Sequence, residues 1–205
     1  MAHRYLWLMD NGHGGIIDGV YQTAGKRSPV WPDGRQLFEG DFNRDVVARI
    51  SRLLRREGIA HVDLVPERQD VPLSERVRRA NAFAGDGGLD PILVSVHANA
   101  GGGTGWEIYT SRGQTKSDAV ASVFARYAEE NLLRFPIRAD YTDGDVDKEA
   151  GFTILSHTTM PAVLTENLFM DRLTPDCEFL LSERGRRRIA QLHAEAIAEI
   201  ERVGI

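Results

Sequence analysis

The chain has 205 residues, 42% of them hydrophobic and 27% charged, which suits a single globular domain with a core that needs no covalent staple. Lys and Arg number 25 against 30 Asp and Glu, so a net charge of -5 leaves no global basic field to recruit nucleic acid. Cys177 is the single cysteine, which excludes an internal disulfide framework and any multi-cysteine zinc or iron–sulfur site; a metal must be held by His and carboxylates.

Met1-Ala2-His3-Arg4-Tyr5 leads straight into a short strand, with no apolar segment followed by a small-residue cleavage site. No later segment approaches membrane-spanning length. The expectation is a protein without a signal peptide, made in the cytoplasm and not inserted into a membrane. Leu6-Trp7-Leu8-Met9 forms the first apolar strand and stops at Asp10-Asn11-Gly12-His13-Gly14-Gly15, a glycine-rich loop suited to close backbone approaches. From Ile16 to Leu37 no period is sustained, and a loop of that length reads as the rim of a cleft. A helix is predicted from Asp41, with Phe42, Val46, Ile50, Leu53 and Leu54 on its apolar face and Gly58 as its C-cap; Glu39 stands just ahead of it.

His61 to Val65 alternates as a second strand. Pro72 and Ser74 open a helix with Leu73, Val77, Ala80 and Phe83 on its apolar side, giving way to a loop over 85–90. Pro91 to Ala100 is an apolar run that ends in His97, Asn99 and three glycines, the pattern of a buried strand whose carboxyl end opens on a ligand crevice. Gly105 to Thr110 is a further strand and Ser117 to Leu133 a helix. The acidic stretch from Phe135 to Ala150 lacks the terminal Glu of a calcium loop and reads as solvated. Pro161 to Phe169 is the last strand, Thr174 and Pro175 start a short helix, and Ile189, Leu192, Ala196, Ile200 and Val203 line the closing one. The basic runs Arg52 to Arg56 and Arg184 to Arg188 lie in helical patterns and read as solvated faces.

Strand ends and loop mouths thus carry His13, Glu39, His97 and Glu166. Two imidazoles and one carboxylate, with a fourth position open, are the ligand set of a catalytic zinc site that brings bound water to a pKa near ~7. A second carboxylate in reach would take the proton from that water and hand it to a leaving nitrogen. Spacing alone leaves open whether the four converge.

The motifs are more telling in combination. Asp10-Asn11-Gly12-His13-Gly14-Gly15, Glu39 with Asn43, and Arg68-x-Asp70-x-x-Leu73-x-x-Arg76 followed by Ala80-Asn81 come first. Ser95-Val96-His97-Ala98-Asn99, Gly105-x-Glu107 and Pro161-Ala162-Val163-Leu164-x-Glu166 follow in the same order. In this the chain resembles, over nearly its whole length, the zinc-dependent N-acetylmuramoyl-L-alanine amidases of the Amidase_3 type, which cleave peptidoglycan. The resemblance implies an α/β fold in a single domain over 1–205, with a twisted, mostly parallel sheet flanked by helices on both faces. It implies that His13, Glu39 and His97 hold Zn2+, that Glu166 is the catalytic glutamate, and that the partner is peptidoglycan.

Two departures stand out. Asn11 replaces the usual proline, with the ligand loop expected to stay intact, and Asn167-Leu168-Phe169-Met170-Asp171 replaces the usual continuation after the glutamate, with a change in the pocket wall or in the peptide preference expected. Arg68, Asp70 and Arg76 read as a structural ion-pair network, and Asn99 and Glu107 as groups that orient ligands or cap strand ends. The rival readings are a catalytically silent wall-binding or activator module and a carboxylate-pair glycosidase. The expected form is a monomeric, phage-type lysin that reaches the cell wall after release.

Overall fold

The apolar runs of the sequence become the inner strands of one six-stranded sheet in the computed structural model, which describes residues 4–85 and 88–205. Met1 to His3, where the N-terminal reading fell, and Asp86 and Gly87 of the expected 85–90 loop lie outside the described residues. In chain order the elements are β1 (Tyr5–Asn11), β2 (Ile16–Ile17), β3 (Val20–Tyr21), α1 (Glu39–Glu57), β4 (His61–Asp63), α2 (Leu73–Asn81) and β5 (Asp90–Asn99). They continue through β6 (Trp106–Thr110), α3 (Lys116–Asn131), β7 (Lys148–Glu149), α4 (Thr153–Ser156), β8 (Ala162–Phe169), a kinked turn (Leu173–Cys177) with extended backbone at Thr174, α5 (Glu178–Leu181) and α6 (Glu183–Val203).

The sheet order is β4-β1-β5-β8-β6-β7. Every neighbouring pair is parallel except β6 and β8. From β1 the chain crosses to β4 on one side and returns to β5 on the other, so the connections leaving β1 and β5 diverge. That divergence opens a crevice at the carboxyl ends of the two strands, and His13 and His97 both lie there.

Side chains alternate across the sheet. Trp7, Met9, Ile92, Val94, Val96 and Val163 pack under α1, α3 and α6, while Leu8, Leu93, Ala162 and Leu164 pack against Ala80 of α2 and Ile154 and Leu155 of α4. The sheet is therefore covered on both faces, as the near-continuous apolar strands require. The same alternation puts His97, Glu166 and Glu107 on one face, and the register sets them side by side: His97 pairs with Glu166, and Glu166 with Glu107.

Several expectations change in detail. Glu39 is the first residue of α1 rather than ahead of it, so it shares the helix's fixed geometry. The 16–37 loop contains the β2–β3 hairpin. Leu73, the first residue of α2, and Val203, the last of α6, are exposed at their helix ends. The Thr174 hydroxyl donates to Glu178 instead of capping a backbone amide. The 135–150 stretch is not simply solvated, since Asp147 is 2% exposed and β7 joins the sheet edge.

Candidate active site

His13 sits on a turn that no β-carbon-bearing neighbour would permit. A Cβ on Gly12 would stand 2.0 Å from His97 Cε1, and one on Gly40 2.0 Å from the Gly14 carbonyl. His13 itself has a φ of +69°, a left-handed conformation that a non-glycine residue adopts only when its surroundings impose it. Those surroundings are cationic. Arg76 and Arg44 both donate to the His13 carbonyl, at 3.1 and 3.0 Å. Arg76 is 2% exposed and also donates to Asp10 (2.6 Å) and to the carbonyls of Asn11 (2.8 Å) and Val71 (2.9 Å). Ser95 donates to the second oxygen of Asp10 at 2.6 Å, and Asn43 to the Gly12 carbonyl at 2.9 Å. Arg76 is thus the structural ion-pair residue expected; Asp70 lies 3.8 Å from it and accepts from Thr23, while Arg68 is a surface residue 3.6 Å from Asp41.

The turn delivers His13 Nε2 to within 3.2 Å of Glu39 Oε1, and β5 delivers His97 Nδ1 to within 3.0 Å of the same oxygen. Donor atoms 2.0–2.2 Å from one tetrahedral ion stand about 3.3–3.6 Å apart, so the three need separate by only a few tenths of an ångström to share a cation. Together they form a group able to hold a metal ion. Burial raises the Glu39 pKa, but hydrogen bonds with the His13 and His97 rings outweigh it and hold the carboxyl below the ordinary range. Burial alone would lower the His97 pKa, and the pairing with Glu39 turns the net shift upward.

Glu166 stands next to this group in the sheet row, yet its Oε2 is buried without a hydrogen-bond partner. Burial raises its pKa to about 8; His97 and Lys26 oppose the shift, and the Glu39 and Glu107 carboxylates add to it. No arginine pairs with it among the described residues. Glu107 has the opposite environment. Asn99 (2.9 Å), Tyr109 (2.7 Å), Lys148 (2.8 Å) and Arg138 all donate to it, and despite burial these partners lower its pKa. Asn99 and Glu107 therefore stand beside the centre and not in it.

A cleft of about 460 Å³ opens over the group, with Lys26, Leu73, Phe152 and Met170 in its walls. Of the residues after Glu166, Met170 lies in the cleft wall; Asn167 donates to the His97 carbonyl at 2.9 Å and accepts from Trp106 at 3.0 Å, and Asp171 accepts from the amides of Gly101 and Gly102. Asn11, at the proline position, donates to the Val65 carbonyl at 2.9 Å. Sequence reasoning missed Lys26, Arg44, Tyr109, Arg138 and Lys148. Only Tyr109 carried a signal, two residues from Glu107 and hence on the same strand face.

A family model described as N-acetylmuramoyl-L-alanine amidase matches residues 8–199. The N-acetylmuramoyl-L-alanine amidase CwlM of Bacillus licheniformis is 37% identical over 194 residues, covering 93% of this chain and 66% of that protein. The endolysin of Bacillus phage SPP1 is 31% identical over 208 residues, covering 96% and 66%. The chain thus spans about two thirds of the length of these curated relatives. Among solved structures, the catalytic domain of the amidase CwlV from Bacillus (Paenibacillus) polymyxa var. colistinus superposes with a TM-score of 0.75 at 25% identity, over 97% of this chain and 98% of that one. With the match running through nearly every element of the fold, the chain belongs to the Amidase_3 family of N-acetylmuramoyl-L-alanine amidases.

Proposed function

We propose that this domain hydrolyses the amide bond between the lactyl carbonyl of N-acetylmuramic acid and the amino group of L-alanine in peptidoglycan. The observation that carries the reading is the convergence of three donor atoms on one point beside a buried, partner-free carboxyl oxygen. In it, His13, Glu39 and His97 hold a divalent cation, taken as zinc from the two-imidazole, one-carboxylate donor set. When bound, such an ion supplies Lewis acidity and makes water a nucleophile near neutral pH.

The protein supplies the rest. Glu166 takes a proton from the attacking water at Oε2 and returns it to the departing L-alanine nitrogen. Burial pushes this carboxyl up and a cation held beside it would pull it back down, which suits a group that accepts and then returns a proton. Glu107, tied to four donors, stays ionised and keeps its neighbour's charge in check. The exposed Leu73 and Phe152 give the cleft an apolar rim for the lactyl and alanine methyl groups. A glycosidase needs a second free carboxylate, a part that Glu107 is too fully bonded to play. A silent binding module would have no use for the retained proton-transfer group. The likeness to a phage endolysin supports a lysin that meets the wall after release, and no helix among the described residues is long and apolar enough to cross a membrane. The single domain over 1–205 acts in this reading as a monomer.

Glu166→Gln tests the assignment. The variant should bind one zinc per chain as the wild type does, while turnover falls about 10²–10⁴-fold. Zinc-loaded variant with near wild-type turnover would remove Glu166 from the mechanism.

A further inference from the structure

The acidic stretch over 135–150 folds back on the start of α3. Asp118 in the first turn of that helix, Asp145 in the loop and Asp147 just ahead of β7 each offer a carboxylate oxygen, and these three oxygens lie within 4.8 Å of one another. Oxygens bound 2.3–2.6 Å from one calcium-sized ion stand up to about 5 Å apart. Asp118 is 8% exposed and Asp147 2%. Asp118 accepts from the Thr115 backbone amide and hydroxyl as part of the α3 cap. One oxygen of Asp147 accepts from Thr110 at 2.5 Å, and one of Asp145 from Gln114 at 3.1 Å.

The remaining oxygens are the informative ones. Asp145 Oδ1 and Asp147 Oδ1 are both buried with no hydrogen-bond partner, and the two carboxylates face each other. No Lys or Arg forms an ion pair with any of the three among the described residues. Buried like charges with orphaned oxygens need a shared positive partner, because desolvation and mutual repulsion both penalise them. Burial pushes the Asp147 carboxyl up against the Thr110 hydrogen bond, and the facing Asp145 adds to the rise, to about 7. The group therefore requires either a proton or a cation.

We infer that Asp118, Asp145 and Asp147 bind one calcium-sized divalent cation at a site separate from the His13–Glu39–His97 group. The all-oxygen donor set selects a hard cation over zinc. Its consequence is local order: the ion fastens the acidic loop to α3 and sets β7, whose Lys148 donates to Glu107 in the row that contains Glu166.

The test is calorimetric titration of CaCl2 into zinc-saturated protein, with thermal unfolding in parallel. Wild type should bind one calcium per chain, with unfolding shifted upward by roughly 5 °C at calcium a hundredfold above its dissociation constant. Asp147→Asn and Asp118→Asn should weaken binding at least about tenfold. Asp145→Asn, at the more exposed position, should do the same if the buried variants fail to fold. His97→Ala should leave calcium binding unchanged. Absence of a response in wild type would mean that the carboxyls share a proton instead. Undiminished binding in the Asp variants, or its loss in His97→Ala, would equally overturn the site.

Discussion

Glu166 and Glu107 are neighbours across two strands, yet their surroundings drive them apart. One oxygen of Glu166 is buried without a partner, and its carboxyl is raised to about 8; Glu107 is held down by Lys148, Arg138 and Tyr109. Two carboxyls set apart in this way are suited to different tasks, one moving a proton and the other keeping its charge. A third buried group, His193, lies on the opposite face of the sheet. Its Nδ1 meets the Ile189 carbonyl at 2.7 Å, so Nδ1 carries the proton and Nε2 accepts from Thr165 at 2.9 Å. Burial lowers its pKa from 6.5 to about 4. Between those values the unfolded chain holds a proton at this residue that the folded chain does not, so this group's contribution to stability falls as pH drops through that window, while Glu166 and Asp147, raised in the folded chain, contribute in the opposite sense. Between pH 6.5 and 5, urea unfolding should show the wild type losing about 1.5 kcal/mol more than His193→Gln. In His193→Gln that portion should vanish, and an equally steep loss in the variant would assign the effect elsewhere.

At the scale of elements, the β1–α1 turn depends on Arg76 of α2, which reaches across to Asp10 and to three backbone carbonyls. Arg76→Met keeps the bulk but leaves Asp10 buried without its cation, and should cost about 3–5 kcal/mol in urea unfolding. A cost below about 1 kcal/mol would mean that Ser95 alone satisfies Asp10. The strands β1, β5 and β8 were legible because each is an apolar run broken by a residue costly to bury. His13, His97 and Glu166 mark those breaks. Their convergence was not legible, because it follows from strand order and register, which no local spacing encodes. Lys26, Arg138 and Lys148 come from segments without period, where a charge reads as surface by default. Asp147 misled for the same reason: acidic patterning resembles a solvated loop until α3 packs beside it.

At the scale of the whole molecule, the fold places its chemistry where the chain divides. β1 and β5 carry the two histidines to the crevice opened by their diverging connections, α1 brings Glu39 in its first turn, and β8 sets Glu166 beside His97. Helices cover both faces of the sheet, so the carboxyl edge is the place where a polymer chain can meet these groups. The central claim is the bond that is cut. Its most direct test is mass spectrometry of purified peptidoglycan digested by the protein, with zinc and again after chelation. The account predicts zinc-dependent release of stem peptides bearing free L-alanine amino termini, from glycan strands left whole. New reducing sugar ends, or the same products after the metal is removed, would contradict it.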